Sequence, residues 1–285
     1  MTVAAVVPVY RPDAGTLLPL LAALRDMKVP TLVADDASPC TADPVLRDAS
    51  GAGAVVVRHD RNAGIARSLN DGLALASTAG AQWLLTVDQD SALPPGYLDA
   101  LLATAAQAAD VLGRDSVGAV GAGGIADASG ALGYPVALVA GLPTTQEVIQ
   151  TGTIWDVAAM QAAGGFDERL RIDAVDAAAC LALRQQGRVI VLAAGLEIEH
   201  RIGEGQQVGL LGRDVLASGH DPSRRTSMVR NRLRLFPAEF RQDPVHALRT
   251  VRRVAVNTAL AVTVEDDRWA KAKASARGVL PERER

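Results

Sequence analysis

Trp83-Leu84-Leu85-Thr86-Val87 runs directly into Asp88-Gln89-Asp90-Ser91. A short apolar run closed abruptly by acids reads as a buried strand that reaches the surface at its carboxyl end. Upstream the same grammar repeats. Residues 3–9 form a β-branched run punctuated by Pro8, Pro12 and Gly15, and Leu17, Leu20, Leu21 and Leu24 then recur at helical spacing. Residues 31–34 start a second strand that runs into Asp35 and Asp36, residues 54–58 read as a third, and residues 62–79 as a helix. Strands alternating with helices predict an α/β fold with a mostly parallel, Rossmann-like central sheet and right-handed crossovers. Such sheets bind ligands beyond the carboxyl ends of their strands, where both pairs of acids fall.

Downstream, residues 115–141 are rich in Gly and Ala around a predicted strand at 117–120 and read as a seam between two halves sharing one sheet. Residues 176–186 predict a helix, and 189–193 a strand leading to the polar segment around His200. In the tail, residues 244–276, Val245, Leu248, Val251, Val254 and Val256 interleave with Arg249, Arg252 and Arg253 in an amphipathic helical pattern. The divisions read at this level are 1–112, 113–205 and a C-terminal stretch at 206–285.

Composition narrows the class. Hydrophobic residues make up 49% and charged residues 21% of 285, the balance of a soluble globular chain. With 29 Lys and Arg against 32 Asp and Glu, the net charge of -3 offers nucleic acid no general attraction. Cys40 and Cys180 stand alone, which excludes a disulfide framework or a CxxC metal site and suits a reducing compartment. Residues 3–9 lack a cationic flank, and no apolar run approaches the roughly 20 residues that span a bilayer, so a cytoplasmic location is expected. The tail is read as a capping helix because Glu265, Asp266 and Asp267 follow it; the alternative is peripheral contact with the inner face of the membrane.

Positions two apart in extended backbone point the same way, so Asp88 and Asp90 can reach one ligand. Carboxylate oxygens suit Mg²⁺ or Mn²⁺, and a cation shared with a diphosphate neutralises charge on a leaving group. A solvated acidic loop is the plain alternative, and the strand-end position favours the site.

Pro8-Val9-Tyr10, Asp35-Asp36-Ala37-Ser38, Asn62-Ala63-Gly64, Asn70-Asp71-Gly72 and Asp88-Gln89-Asp90-Ser91 occur together and in this order. As a set they resemble family 2 glycosyltransferases with the GT-A fold. Asn62-Ala63-Gly64-Ile65-Ala66, Phe166-Asp167-Glu168, Ile172-Asp173-Ala174-Val175-Asp176 and His200-Arg201-Ile202-Gly203-Glu204 are similar to the rhamnosyltransferase branch; the likeness spans roughly residues 3–236. It implies an inverting transfer from a nucleoside-diphosphate sugar to an acceptor hydroxyl. The donor it favours is dTDP-L-rhamnose, with UDP or GDP sugars as alternatives, and the acceptor is a glycan, a lipid-linked molecule or a small molecule.

The resemblance also implies roles. Residues 1–112 become the donor-binding half, 113–205 the acceptor and catalytic half, and 206–285 a closing loop with helices. Asp35 and Asp36 would meet the donor base or ribose, or serve only as a cap or turn. Asn62 and Gly64 would shape the loop under the nucleotide, or form a plain turn. Asp90 would hold the metal, Asp88 the ribose or a metal-bound water, and His200 would join the metal or make a structural hydrogen bond. Thr151, Gly152 and Asp173 belong to the acceptor side, as does Trp155, which stacks on a sugar or else is core. Arg230, with Arg224 and Arg225, suits a diphosphate, and Asp176 matches the general base. The chain departs from the branch after that base: Asp176-Ala177-Ala178-Ala179-Cys180 replaces a motif with a second acid and an aromatic. A nucleotidyltransferase and a non-catalytic nucleotide-sugar binder are the competing readings. A nicotinamide dehydrogenase is discounted because the glycines at 118, 121, 123 and 124 do not form GxGxxG.

Overall fold

The computed structural model describes residues 1–127, 130–199, 206–210, 213–217, 221–264 and 267–280. The chain divides into two compact units, one of Met1–Arg171 with Val175–His200 and one of Ile172–Ala174 with Arg201–Arg285.

Among the described residues, the first unit is built on ten strands. In chain order these are β1 (Val3–Val9), β2 (Thr31–Asp35), β3 (Val55–Arg58), β4 (Trp83–Thr86), β5 (Val117–Asp127), β6 (Gly130–Gly133), β7 (Ala137–Val139), β8 (Leu142–Thr145), β9 (Thr153–Asp156) and β10 (Val189–Glu199). The sheet order is β3-β2-β1-β4-β9-β5-β10-β8-β7, with β6 paired to β5. Strands β1 to β4 are parallel, as are β5 and β10. Between these blocks β9 runs antiparallel to both β4 and β5. Strand β9 thus joins the two parallel blocks into one sheet.

The helices of this unit are α1 (Ala14–Asp26), α2 (Asp43–Gly51), α3 (Ile65–Thr78), α4 (Tyr97–Leu112), α5 (Val157–Ala162) and α6 (Val175–Gln185). The leucines whose spacing predicts α1 are its buried face: Leu17, Leu20, Leu21 and Leu24. Trp83, Leu84, Leu85 and Thr86 have no exposed surface, which makes β4 the centre of the core. Helix α3 lies close on β1 because Gly72 has no side chain; a Cβ there would stand 2.3 Å from that of Val6.

The second unit contains the hairpin β11 (Gln206–Leu210) and β12 (Arg213–Ala217), then α7 (Pro222–Gln242), α8 (Pro244–Val264) and α9 (Arg268–Val279), which pack on one another. The tail expected as one amphipathic pattern is thus two helices behind a third. Pro244 cannot continue α7 and suits the first position of α8, while Asp243 accepts from the His246 amide at 2.9 Å and caps it. Among the described residues, no helix is long and apolar enough to cross a membrane.

Candidate active site

Beyond Thr86 the chain turns. The Ser91 amide donates to the Asp88 carbonyl at 3.1 Å and closes a turn with Gln89 and Asp90 at its corners. This corrects the expectation that Asp88 and Asp90 share a side by strand alternation: the turn sets their positions. Gln89 ties the turn to the end of β1. Its Oε1 accepts from the Tyr10 amide at 3.1 Å and its Nε2 donates to the Tyr10 carbonyl at 3.2 Å, as a neighbouring strand would. The Asp88 amide donates to Thr151 Oγ1 at 2.9 Å, and Thr151 Oγ1 pairs with Ser91 Oγ at 2.9 Å. Gln150 Nε2 donates to Asp88 Oδ1. Asp88 is half-buried, whereas Asp90 is exposed and no described residue bonds its side chain.

Thr151 and Gly152, expected on the acceptor side, are buried in the joint between β9 and β4. The Gly152 amide donates to the Thr86 carbonyl at 2.7 Å, and the Tyr97 hydroxyl donates to the Gly152 carbonyl at 2.7 Å. Trp155 requires a correction. Its ring has no exposed surface, its Nε1 donates to Thr86 Oγ1 at 2.9 Å, and Phe166 meets it edge-to-face at 5.5 Å. It has no free face on which a sugar can stack; it is core.

At the end of β2 the two acids face inward. Asp35 is wholly buried, paired with Arg58 Nε at 3.1 Å and accepting from the Ser38 amide at 3.2 Å, so its carboxylate braces the loop after β2 rather than meeting a donor directly. Asp36 accepts from the Ala63 amide at 2.7 Å and the Gly64 amide at 2.9 Å, and Asn62 Nδ2 donates to the Asp36 carbonyl at 3.2 Å. The segment that sequence sets beneath a nucleotide is therefore shaped by Asp36. Gly64 permits a close approach: it has φ 96°, and a Cβ would stand 2.5 Å from the Arg171 carbonyl oxygen. Arg171 Nη2 in turn donates to the Asn62 carbonyl at 2.8 Å. Asn70 brackets the Phe166 backbone, accepting from its amide at 2.8 Å and donating to its carbonyl at 3.0 Å. Motifs a hundred residues apart in sequence are in this way fastened together.

His59, which sequence reading passed over, completes this network. Its Nδ1 lies 3.0 Å from Asp36 Oδ1 and its Nε2 2.6 Å from Asp71 Oδ2. A neutral imidazole carries one N–H and can donate to only one of these carboxylates; the imidazolium donates to both. Burial pulls its pKa down, but the hydrogen bonds and charges of Asp36 and Asp71 together raise it above 6.5. A raised folded-state pKa stabilises fully below 6.5 and is lost as pH rises through the raised value. The difference in melting temperature between the wild-type chain and His59→Gln is expected to be larger at pH 6 than at pH 9. An equal difference at both would exclude a charged His59.

Asp176 is the second residue of α6, and its Oδ1 accepts from the Ala177 amide at 2.8 Å. The departure that follows it has a packing reason: Ala177, Ala178 and Ala179 are all buried. In the second unit, Asp173 has φ 64° and its Oδ1 accepts from Arg224 Nε at 3.1 Å, while Asn231 Nδ2 donates to the carbonyls of Ile172 and Asp173. Burial raises the Asp173 pKa against the opposing charges of Arg224 and Arg232. Arg230 is a half-buried residue of α7. His200 lies outside the described residues.

The sequence model for "Glycosyl transferase family 2" matches residues 4–120, from β1 through the Asp88 turn into β5. Over 282 residues the chain is 24% identical to the dTDP-rhamnosyl transferase RfbF of Shigella flexneri, covering 93% of this chain and 89% of that one. Among solved structures it resembles S. aureus TarS residues 1–349, with a TM-score of 0.58, 15% identity and coverage of 98% of this chain and 81% of that one. Against the longer TarS chain it spans 49% of the length, with a TM-score of 0.57 and 15% identity. It also resembles GalNAc-T7 solved with UDP, GalNAc and Mn²⁺, with a TM-score of 0.58, 11% identity and coverage of 96% of this chain and 54% of that one. At these identities the structural likenesses establish the fold, a GT-A arrangement.

Proposed function

We propose that this chain, whose residues 4–120 match the family 2 glycosyltransferase model, transfers L-rhamnose from dTDP-L-rhamnose to an acceptor hydroxyl by single displacement with inversion. The observation that carries the site is the turn after β4, which leaves Asp90 exposed and without a partner among the described residues, two residues beyond a braced, half-buried Asp88. The similarity to RfbF along most of both chains supports the donor.

The residues fit a hard divalent cation: Asp90 offers free carboxylate oxygens and Asp88 a carboxylate already oriented. Asp90 would hold Mg²⁺ or Mn²⁺, with Asp88 supporting the ribose or a metal-bound water. When bound, the cation neutralises charge on the diphosphate leaving group. The loop of Asn62 and Gly64, held by Asp36, shapes the floor under the nucleotide. Asp176 accepts the acceptor's hydroxyl proton while that oxygen bonds to the anomeric carbon, and the bond from that carbon to the diphosphate breaks.

The test is donor choice. With Mn²⁺ present, dTDP is expected to raise the melting temperature more than UDP, GDP or CDP, since a ligand that binds only the folded state stabilises it by mass action. Transfer or hydrolysis is expected with dTDP-L-rhamnose. A preference for a UDP-hexose with dTDP-L-rhamnose inert would remove the rhamnosyl assignment.

A further inference from the structure

The loop that enters β9 grips Asp88 twice. Thr151 takes its amide and Gln150 donates to its carboxylate. Gln150 is itself held from behind: Thr86 Oγ1 donates to its carbonyl, and Thr86 Oγ1 accepts from Trp155 Nε1 at 2.9 Å. Gln150 is 8% exposed, and its Oε1 is buried without a hydrogen-bond partner among the described residues. A leucine or methionine would fill the same space and bury no unsatisfied oxygen, so packing alone does not explain an amide here. Flipping the amide gives no relief, because it would set Oε1 against Asp88 Oδ1, two acceptors facing each other.

We infer that Gln150 is a positioning residue of the donor site: its amide fixes the Asp88 carboxylate for the donor and its cation. This rests on the assignment of Asp88 proposed above. The choice of a neutral donor matters. Arg or Lys in its place would orient the carboxylate equally well but would add an opposing charge, whereas a carboxamide fixes the rotamer and itself adds none. Residues that orient a ligand in this manner change metal affinity about 10–100-fold when removed. The unsatisfied Oε1 is a stability cost kept for the sake of the site, as functional positions often show.

The experiment compares the wild-type chain with Gln150→Leu, Gln150→Met, Asp88→Asn and the Asp88→Asn/Gln150→Leu double variant. The probe is whichever of dTDP, UDP, GDP and CDP the wild type binds most tightly with Mn²⁺, titrated in both nucleotide and metal. Gln150→Leu and Gln150→Met are expected to raise the half-saturating Mn²⁺ at least about tenfold, with melting temperatures equal to or above wild type because the buried oxygen is gone. In the Asp88→Asn background, Gln150→Leu is expected to add no further loss. A purely structural Gln150 would do the reverse, lowering the melting temperature and leaving binding by the folded protein intact. That result, failure of both single variants to fold, or additive losses in the double variant would each overturn the inference. If Asp88→Asn itself binds like wild type, the donor-site reading of Asp88 fails; if Asp88→Asn weakens binding and Gln150→Leu does not, only the inference does.

Discussion

Replacing Asp176 with asparagine is expected to lower turnover at least about 100-fold while nucleotide binding is retained. An acceptor hydroxyl is a weak nucleophile near neutral pH, and a carboxylate that takes its proton as the new bond forms removes that barrier. Asparagine has nearly the same shape, can still accept from the Ala177 amide as Asp176 does at 2.8 Å, and has no basicity. The substitution thus separates two roles for one side chain. If Asp176 only satisfies the first turn of α6, Asp176→Asn will be nearly silent in both turnover and melting temperature, and the mechanism is refuted. Asp173→Asn is then the next variant to assay, although Asp173 already accepts from Arg224. The buried alanines after Asp176 make its helix turn rigid and well packed, so a loss of activity in Asp176→Asn is not expected to come from unfolding.

Removing the Asp90 carboxylate is expected to abolish the dependence of nucleotide binding on Mn²⁺. In the wild type, dTDP with Mn²⁺ at 100 times its dissociation constant is expected to stabilise the fold by about 2.7 kcal/mol. In Asp90→Ala the increment due to the metal disappears, leaving whatever dTDP alone provides. The fold itself is not expected to suffer, because Asp90 is exposed and bonds to no described residue. Wild-type metal dependence in Asp90→Ala would show that the cation is held elsewhere.

The parallel block was legible in sequence because each strand is a short apolar run stopped by acids, glycine or proline, and the helices between carry their leucines at one spacing. What was not legible was direction and pairing. Residues 153–156 are only Thr153, Ile154, Trp155 and the acid Asp156 in sequence, and nothing local says that they insert antiparallel between β4 and β5. That insertion sends Trp155 into the core, one of the two roles, core or sugar platform, that its sequence leaves open. It also carries Gln150 and Thr151 to Asp88 across more than sixty positions, a contact with no periodic signature.

The candidate acids show the same division. Asp35, Asp36, Asp88, Asp90 and Asp176 stand out in the chain as carboxylates that follow apolar strands or open a helix. Which of them face outward depends on partners distant in sequence. Asp35 is closed in by Arg58, and Asp36 by His59 and the amides of Ala63 and Gly64, while Asp90 is left open by a turn tied through Gln89 to Tyr10. By itself the sequence determined the α/β class, the strand-end placement of the acids and their order along the chain, since these follow from local periodicity and chain direction. The tertiary structure alone decided which carboxylates are engaged and which are available, because that depends on hydrogen-bond donors brought in from other strands and loops.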